Sequence, residues 1–204
     1  MLRIWGRANS VNVKKVLWCC GELGLAFERV DAGLQHGVVD TPEYRKLNPN
    51  GLVPTIEDDG FVLWESHAIV RYLCAKHGAL RPSDLRQRAD ADRWMDWTHG
   101  FSREFQRPLF WALVRTPPEK RDPKSVEAAR AKCADLLSVP ERYLSERPYL
   151  AGDEFTMGDI PLGCHLQLWF NLPIERPAQP ALSAWYARLQ ERVAYRRHVE
   201  TPLS

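Results

Sequence analysis

The sequence predicts a chain in two parts: a small mixed α/β domain over residues 1–78 and an all-helical domain over residues 84–204. Three observations carry this. Strand and helix patterns alternate up to Gly78, strand patterns stop there, and "ALRPSD" at 79–84 reads as a linker. At 204 residues, 45% of them hydrophobic and eight of them tryptophan, the chain can bury two cores of modest size.

Each element has a local reason. Residues 2–5 begin as a short strand, and Val13, Val16, Leu17 and Cys20 then recur at i, i+3, i+4 and i+7, one face of a helix that Gly24 can end. "AFERVD" at 26–31 alternates apolar and polar residues as a second strand would. "GLQHGVVDTPEYRKLNPNG" leaves room for one short helix. "LVPTIEDDGFVLWES" is a strand, a turn at Asp59-Gly60 and another strand, leading into a helix at 66–77 with Ile69, Tyr72 and Leu73 on one face and Gly78 at its end. The order β-α-β-(α)-β-β-α gives a parallel first crossover and an antiparallel last pair. Beyond the linker the pattern predicts helices over 84–114, 123–146, 156–170 and 180–193. Thr156 and Asp159 in "FTMGDI", flanked by Phe155 and Ile160, form a capping box and hydrophobic staple, which is a structural device. Pro140 should kink or break its helix, because it lacks a donor and clashes with the carbonyl of Leu136.

Composition excludes several function classes. Lys and Arg balance Asp and Glu at 9 to 9 over residues 1–78 and at 19 to 17 over 79–204, so neither part is a basic nucleic-acid platform. No apolar run approaches the ~20 residues of a membrane span, and "MLRIWG" lacks the features of a secretory signal, so a soluble cytoplasmic protein is expected. The five cysteines (Cys19, Cys20, Cys74, Cys133, Cys164) show no CxxC and no zinc spacing, which argues against a disulfide framework and against a metal site. Cys19 and Cys20 lie two to three turns into the first helix, where a cysteine is commonly a small buried hydrophobe rather than a reactive thiolate.

The chemistry-bearing stretches are short. Pro54 inside a strand must sit where its missing N–H is not needed, either as an ordinary edge proline or with a cis Val53-Pro54 bond that turns the Val53 N–H and C=O outward to pair with another backbone. Glu65-Ser66 at a strand-to-helix junction offers a hydroxyl, helix-start N–H groups and a carboxylate. Ser66 can simply cap the helix, or the pair can hold the carboxylate and ammonium of an α-amino acid. Ser10 precedes the apolar helix face by three residues, the place of a helix cap, and Asn12 follows it by two.

With "NPNGLVPTI" and "WESHAIVRYL" in the first part, and "YLAGDEFTMGDI" and "LSAWYARLQERVAYRRHV" in the second, nearly the whole chain resembles a cytosolic glutathione transferase. The resemblance implies a thioredoxin-like N-terminal domain with an all-α C-terminal domain and a homodimer. It also implies that Val53, Glu65 and Ser66 bind the cysteinyl backbone and γ-glutamyl end of glutathione, a co-substrate rather than a fixed cofactor. The catalytic position falls on Ser10, as in theta-, zeta- and phi-like classes, or on Ser10 and Asn12 together, as in the nu-like class.

A free thiol has a pKa of about 8.5, and lowering it by about two units takes roughly 2.7 kcal/mol of thiolate stabilisation. A hydroxyl or amide donor beside helix-start N–H groups can supply this, so Ser10 is expected to donate to the sulfur with Asn12 assisting, while Asn12 competes for the same role and a plain helix cap is the other use of Ser10. Leu52 stands where many relatives carry Lys, Arg or Gln, so another group must hold the glycine carboxylate; His36 in "LQHG" is the candidate, and a solvated loop histidine is the alternative. Arg107 and Trp111, on the first long helix of the second part, are the candidates for binding an apolar electrophile. The expected function is therefore detoxifying conjugation of glutathione. Glutathione-dependent disulfide or peroxide reduction, and a non-catalytic binding protein of the same fold, are the alternatives.

Overall fold

A computed structural model describes residues 1–204. The N-terminal elements are β1 (Leu2–Trp5), α1 (Val11–Glu22), β2 (Phe27–Val30), α2 (Pro42–Leu47), β3 (Thr55–Asp58), β4 (Phe61–Trp64) and α3 (Ser66–His77), with a 3-10 turn at Leu34–His36. The four strands form one sheet in the order β2-β1-β3-β4. β1 and β2 run parallel through the α1 crossover, while β3 is antiparallel to both β1 and β4. Asp59 and Gly60 both have positive φ (50° and 87°), the backbone that a two-residue hairpin loop requires.

Nearly every residue of α1 from Val11 to Cys20 is buried, which explains its apolar spacing. The helix ends in a Schellman motif: Leu25 N–H donates to Cys20 O at 2.9 Å, Gly24 N–H donates to Gly21 O at 3.3 Å, and Gly24 takes φ 66°. Cys19, Cys20 and Cys74 are fully buried, with Cys19 Sγ 3.7 Å from Cys74 Sγ. The hydrogen bond to Cys74 and burial raise the Cys19 thiol well above its usual value, and burial pushes Cys20 up to about 12. These thiols are packing.

The helical part comprises α4 (Leu85–Phe105), a π-helical turn (Gln106–Trp111) continuing into α5 (Ala112–Val114), α6 (Pro123–Leu144), α7 (Asp159–Asn171), α8 (Pro180–Gln190) and α9 (Val193–His198). Two sequence expectations need correction here. The helix expected over 84–114 changes to π geometry around Pro108, whose missing N–H cannot join an α-helical ladder. The helix expected over 180–193 stops at Gln190, and a separate α9 follows. Of the kink or break expected at Pro140, the break does not occur: α6 runs through that residue to Leu144.

Packing divides the chain into Met1–Arg81 with Val193–Thr201, and Pro82–Arg192 with Pro202–Ser204. The stretch 193–201 therefore leaves the expected 84–204 helical domain and joins the sheet-containing unit. The Trp18 and Tyr195 rings meet edge to face at 4.7 Å, and a Cβ on Gly21 would come within 2.9 Å of Ala194 Cβ and His198 Cδ2. In the helical unit α7 is buried along almost its whole length, and the guanidinium of Arg176 donates to the carbonyls of Trp169, Phe170, Leu172 and Ile174 at its C-terminal end.

Candidate glutathione site

One row of the sheet organises the site. Val30, Trp5, Thr55 and Trp64 are successive cross-strand partners. The chain just beyond this row leaves the sheet at a single end: Gly6–Ser10 after β1, residues 31–36 after β2, Val53-Pro54 before β3, and Glu65-Ser66 after β4. Strand register thus brings together the segments that carry Ser10, His36, Val53, Pro54, Glu65 and Ser66, although they are far apart in sequence.

The Val53-Pro54 bond is cis, and neither the N–H nor the C=O of Val53 has a partner within the chain. Leu52 itself is 63% exposed, but its carbonyl is clamped from behind. Tyr44 Oη donates to Leu52 O at 2.6 Å and lies 2.8 Å from Thr55 Oγ1, while Asn48 Nδ2 donates to both at 2.9 and 3.1 Å. Sequence reading missed this network. Its signal was the polar "NPN" beside an aromatic residue of α2, which a loop reading absorbs.

Helix starts divide into two kinds. Thr41 accepts from Tyr44 N at the start of α2, Asp84 from Arg86 N and Gln87 N at α4, and Asp122 from Lys124 N at α6. At α7 the predicted pair meets in the turn ahead of the helix rather than at its N-cap and N3 positions. The N-cap residue is Gly158, Asp159 is the first helical residue, Thr156 Oγ1 accepts from Gly158 N, and Asp159 accepts from Thr156 N. Starts α1 and α3 make no such bond. Ser10 occupies the N-cap position of α1 with extended backbone and only 6% exposure, yet its hydroxyl caps nothing. At α3 the N-cap residue is Glu65 rather than Ser66, which is the first helical residue, and neither side chain caps.

Glu65 holds φ 73°, a conformation that costs a non-glycine residue about 1–3 kcal/mol. The buried Ser66 hydroxyl likewise lacks a partner in the chain. Both helix starts therefore present N–H groups and a side-chain hydroxyl that the protein does not use for itself, the arrangement that receives an anion.

The remaining candidates are placed as follows. Asn12 is exposed on the first turn of α1, and its Oδ1 accepts from Lys15 Nζ at 2.9 Å. His36 Nε2 lies 3.8 Å from Asp31 Oδ1, a carboxylate that the neighbouring Arg29 guanidinium holds below its usual range. In the helical unit, Arg107 is exposed with its guanidinium 5.1 Å from the centre of the Trp111 ring, and Arg115 lies 4.8 Å from the same ring. The Trp111 indole N–H and Gln106 Oε1, both in the π turn, are buried without a partner. No group of three or more His, Cys, Asp or Glu side chains is placed to hold a metal ion.

Family models agree with this architecture: residues 6–82 match the glutathione S-transferase N-terminal domain, and residues 107–192 match the glutathione S-transferase C-terminal domain. The chain is 40% identical to glutathione S-transferase GstB of Escherichia coli strain K12 over the full length of both. The chain belongs to the glutathione S-transferase family. It is an enzyme of the transferase kind with glutathione as co-substrate. It is also 33% identical to glutathione S-transferase 3 of Zea mays, covering 97% of this chain and 93% of the relative. A theta class glutathione S-transferase from Xanthomonas axonopodis pv. citri, solved with glutathione bound, superposes with a TM-score of 0.96 at 52% identity, covering 100% of this chain and 99% of that one. Glutathione transferase F7 from Populus trichocarpa superposes at 0.87 with 25% identity, covering 98% of each.

Proposed function

We propose that this transferase binds glutathione at the open end of the sheet, stabilises its thiolate through the Ser10 hydroxyl with Asn12 assisting, and transfers it to an apolar electrophile. The observation that carries this reading is the Ser10 hydroxyl, at a helix start and without a hydrogen-bonding role in the chain. The Val53 N–H and C=O pair with the cysteinyl backbone of glutathione. Ser66 and the α3 N–H groups take the γ-glutamyl carboxylate, Glu65 takes its ammonium, and His36 takes the glycine carboxylate.

The thiol proton leaves to water as the thiolate forms, and Ser10 keeps its own proton and donates a hydrogen bond to the sulfur. A carbon–sulfur bond then forms as the electrophile's leaving group departs with its electron pair. No base is required, because the thiolate is already populated at neutral pH once about 2.7 kcal/mol of preferential stabilisation is supplied. Arg107 and Trp111 contribute to the electrophile's binding, with the apolar ring as a wall and the guanidinium as an attraction for any anionic group. The active form is a homodimer in the cytoplasm, and the physiological role is detoxification.

Calorimetric titration with glutathione tests the first half of the reading, and absence of binding at millimolar concentration overturns it. A conjugation assay on Ser10→Ala and Asn12→Ala, run beside a disulfide-reduction assay, tests the second half. Loss of conjugation in Ser10→Ala with binding retained is the expected result. Full activity in both variants overturns the mechanism.

A further inference from the structure

Helix α1 carries a lysine that a buried helix face does not need for packing. Lys15 is 2% exposed, and so is His67, the second residue of α3. Lys15 Nζ lies 2.9 Å from Asn12 Oδ1 and 3.0 Å from His67 Nε2. Held as an ammonium, Lys15 has three donors and no acceptor, so it donates to the Asn12 carbonyl oxygen, and to His67 Nε2 in the tautomer that carries its proton on Nδ1. The Asn12 NH2 is therefore turned away from Lys15. It makes no hydrogen bond within the chain, and it stands on the first turn of α1, two residues after Ser10.

We infer that Lys15 is a positioning residue for thiolate formation: it holds the Asn12 amide with both N–H donors presented at the α1 start and polarises that amide toward the sulfur of glutathione. The inference rests on the glutathione reading above. A chain of hydrogen bonds that begins at a buried ammonium strengthens along its length, since each donor is pulled toward its acceptor by the one behind it. Without Lys15 the amide is free to rotate and to offer its carbonyl oxygen, which repels a thiolate.

The test compares wild type, Asn12→Ala, Lys15→Met, Lys15→Arg and the double variant Asn12→Ala/Lys15→Met. Conjugation kinetics and the ultraviolet absorption of the bound glutathione thiolate are the readouts. Lys15→Met is expected to lower kcat by about tenfold, as for one lost hydrogen bond to a charged group, with KM for glutathione unchanged and a weaker thiolate band. Lys15→Arg should recover part of both, and the double variant should be no worse than Asn12→Ala. A rise in KM alone shows Lys15 acting through the α3 start and overturns the inference, as do additive losses in the double variant or a silent Asn12→Ala.

If Lys15→Met does not fold, the side-chain amide resonance of Asn12 in the wild-type protein decides. It should shift on addition of glutathione, and an unmoved resonance overturns the inference. Failure of the wild type to bind glutathione is a separate outcome, which removes the parent reading together with this one.

Discussion

The starts of α1 and α7 carry similar residues and end in opposite states. At α7, Asp159 is fully buried and accepts from Leu150 N at 3.0 Å, Thr156 N at 2.9 Å, Thr156 Oγ1 at 3.3 Å and Trp185 Nε1 at 3.1 Å. At α1, Ser10 sits in the N-cap position with its hydroxyl uncommitted. One start is closed because the Asp159 carboxylate holds three segments together. The other is open, and in the function proposed above its free hydroxyl serves a ligand. On that proposal the contrast separates residues that stabilise from residues that bind, and it predicts how mutations sort between them.

The largest effect on stability belongs to the closed start. Asp159→Ala strands buried donors from Leu150, Thr156 and Trp185 and should cost about 3 kcal/mol or more, read as a shift in denaturant midpoint. Burial pushes the Asp159 carboxyl from its ordinary 3.8 to about 6 against the pull of those donors. The folded state then holds the proton more tightly than the unfolded one. This group's contribution to stability is full below about pH 4 and declines as pH rises through about 6. Unfolding curves across that range should show the decline in wild type and not in Asp159→Asn.

A smaller effect tests the joining of α9 to the sheet-containing unit. Gly21→Ala improves helix propensity by about 1 kcal/mol, but its methyl meets Ala194 and His198 at 2.9 Å, so a net loss of about 1–2 kcal/mol is expected by thermal melting. An increase in stability would show that α9 does not pack on α1 as described. Smaller again is Asp84→Ala, which removes an exposed cap with two N–H partners and should cost about 1 kcal/mol without changing activity.

Much of the fold was legible because its signals are local. Period-two alternation, the Asp59-Gly60 turn and the glycines that end α1 and α3 each act within a few residues. The break before α9 was not legible, because apolar residues continue through Leu189, Val193 and Tyr195 with no glycine or proline between them. Pro108 did signal the π turn, but its place in an otherwise periodic helix masked it. In the candidate site, the proline marked the Val53-Pro54 segment, and Ser10 and Ser66 stood out by their places at helix starts, where the structure puts one at the N-cap and the other at the first helical position. Lys15 did not, because a lysine within an apolar face reads as a side chain reaching solvent. Only the spatial approach of α3 shows what it meets.

The smallest expected change in stability is also the most informative. Unfolding free energy and conjugation rate should be measured on the same preparation of Ser10→Ala. An uncommitted hydroxyl predicts stability within about 0.5 kcal/mol of wild type, and loss of the thiolate's donor predicts a fall in kcat/KM of about a hundredfold. A stability loss of about 1 kcal/mol with the conjugation rate retained would make Ser10 an ordinary helix cap and contradict the account.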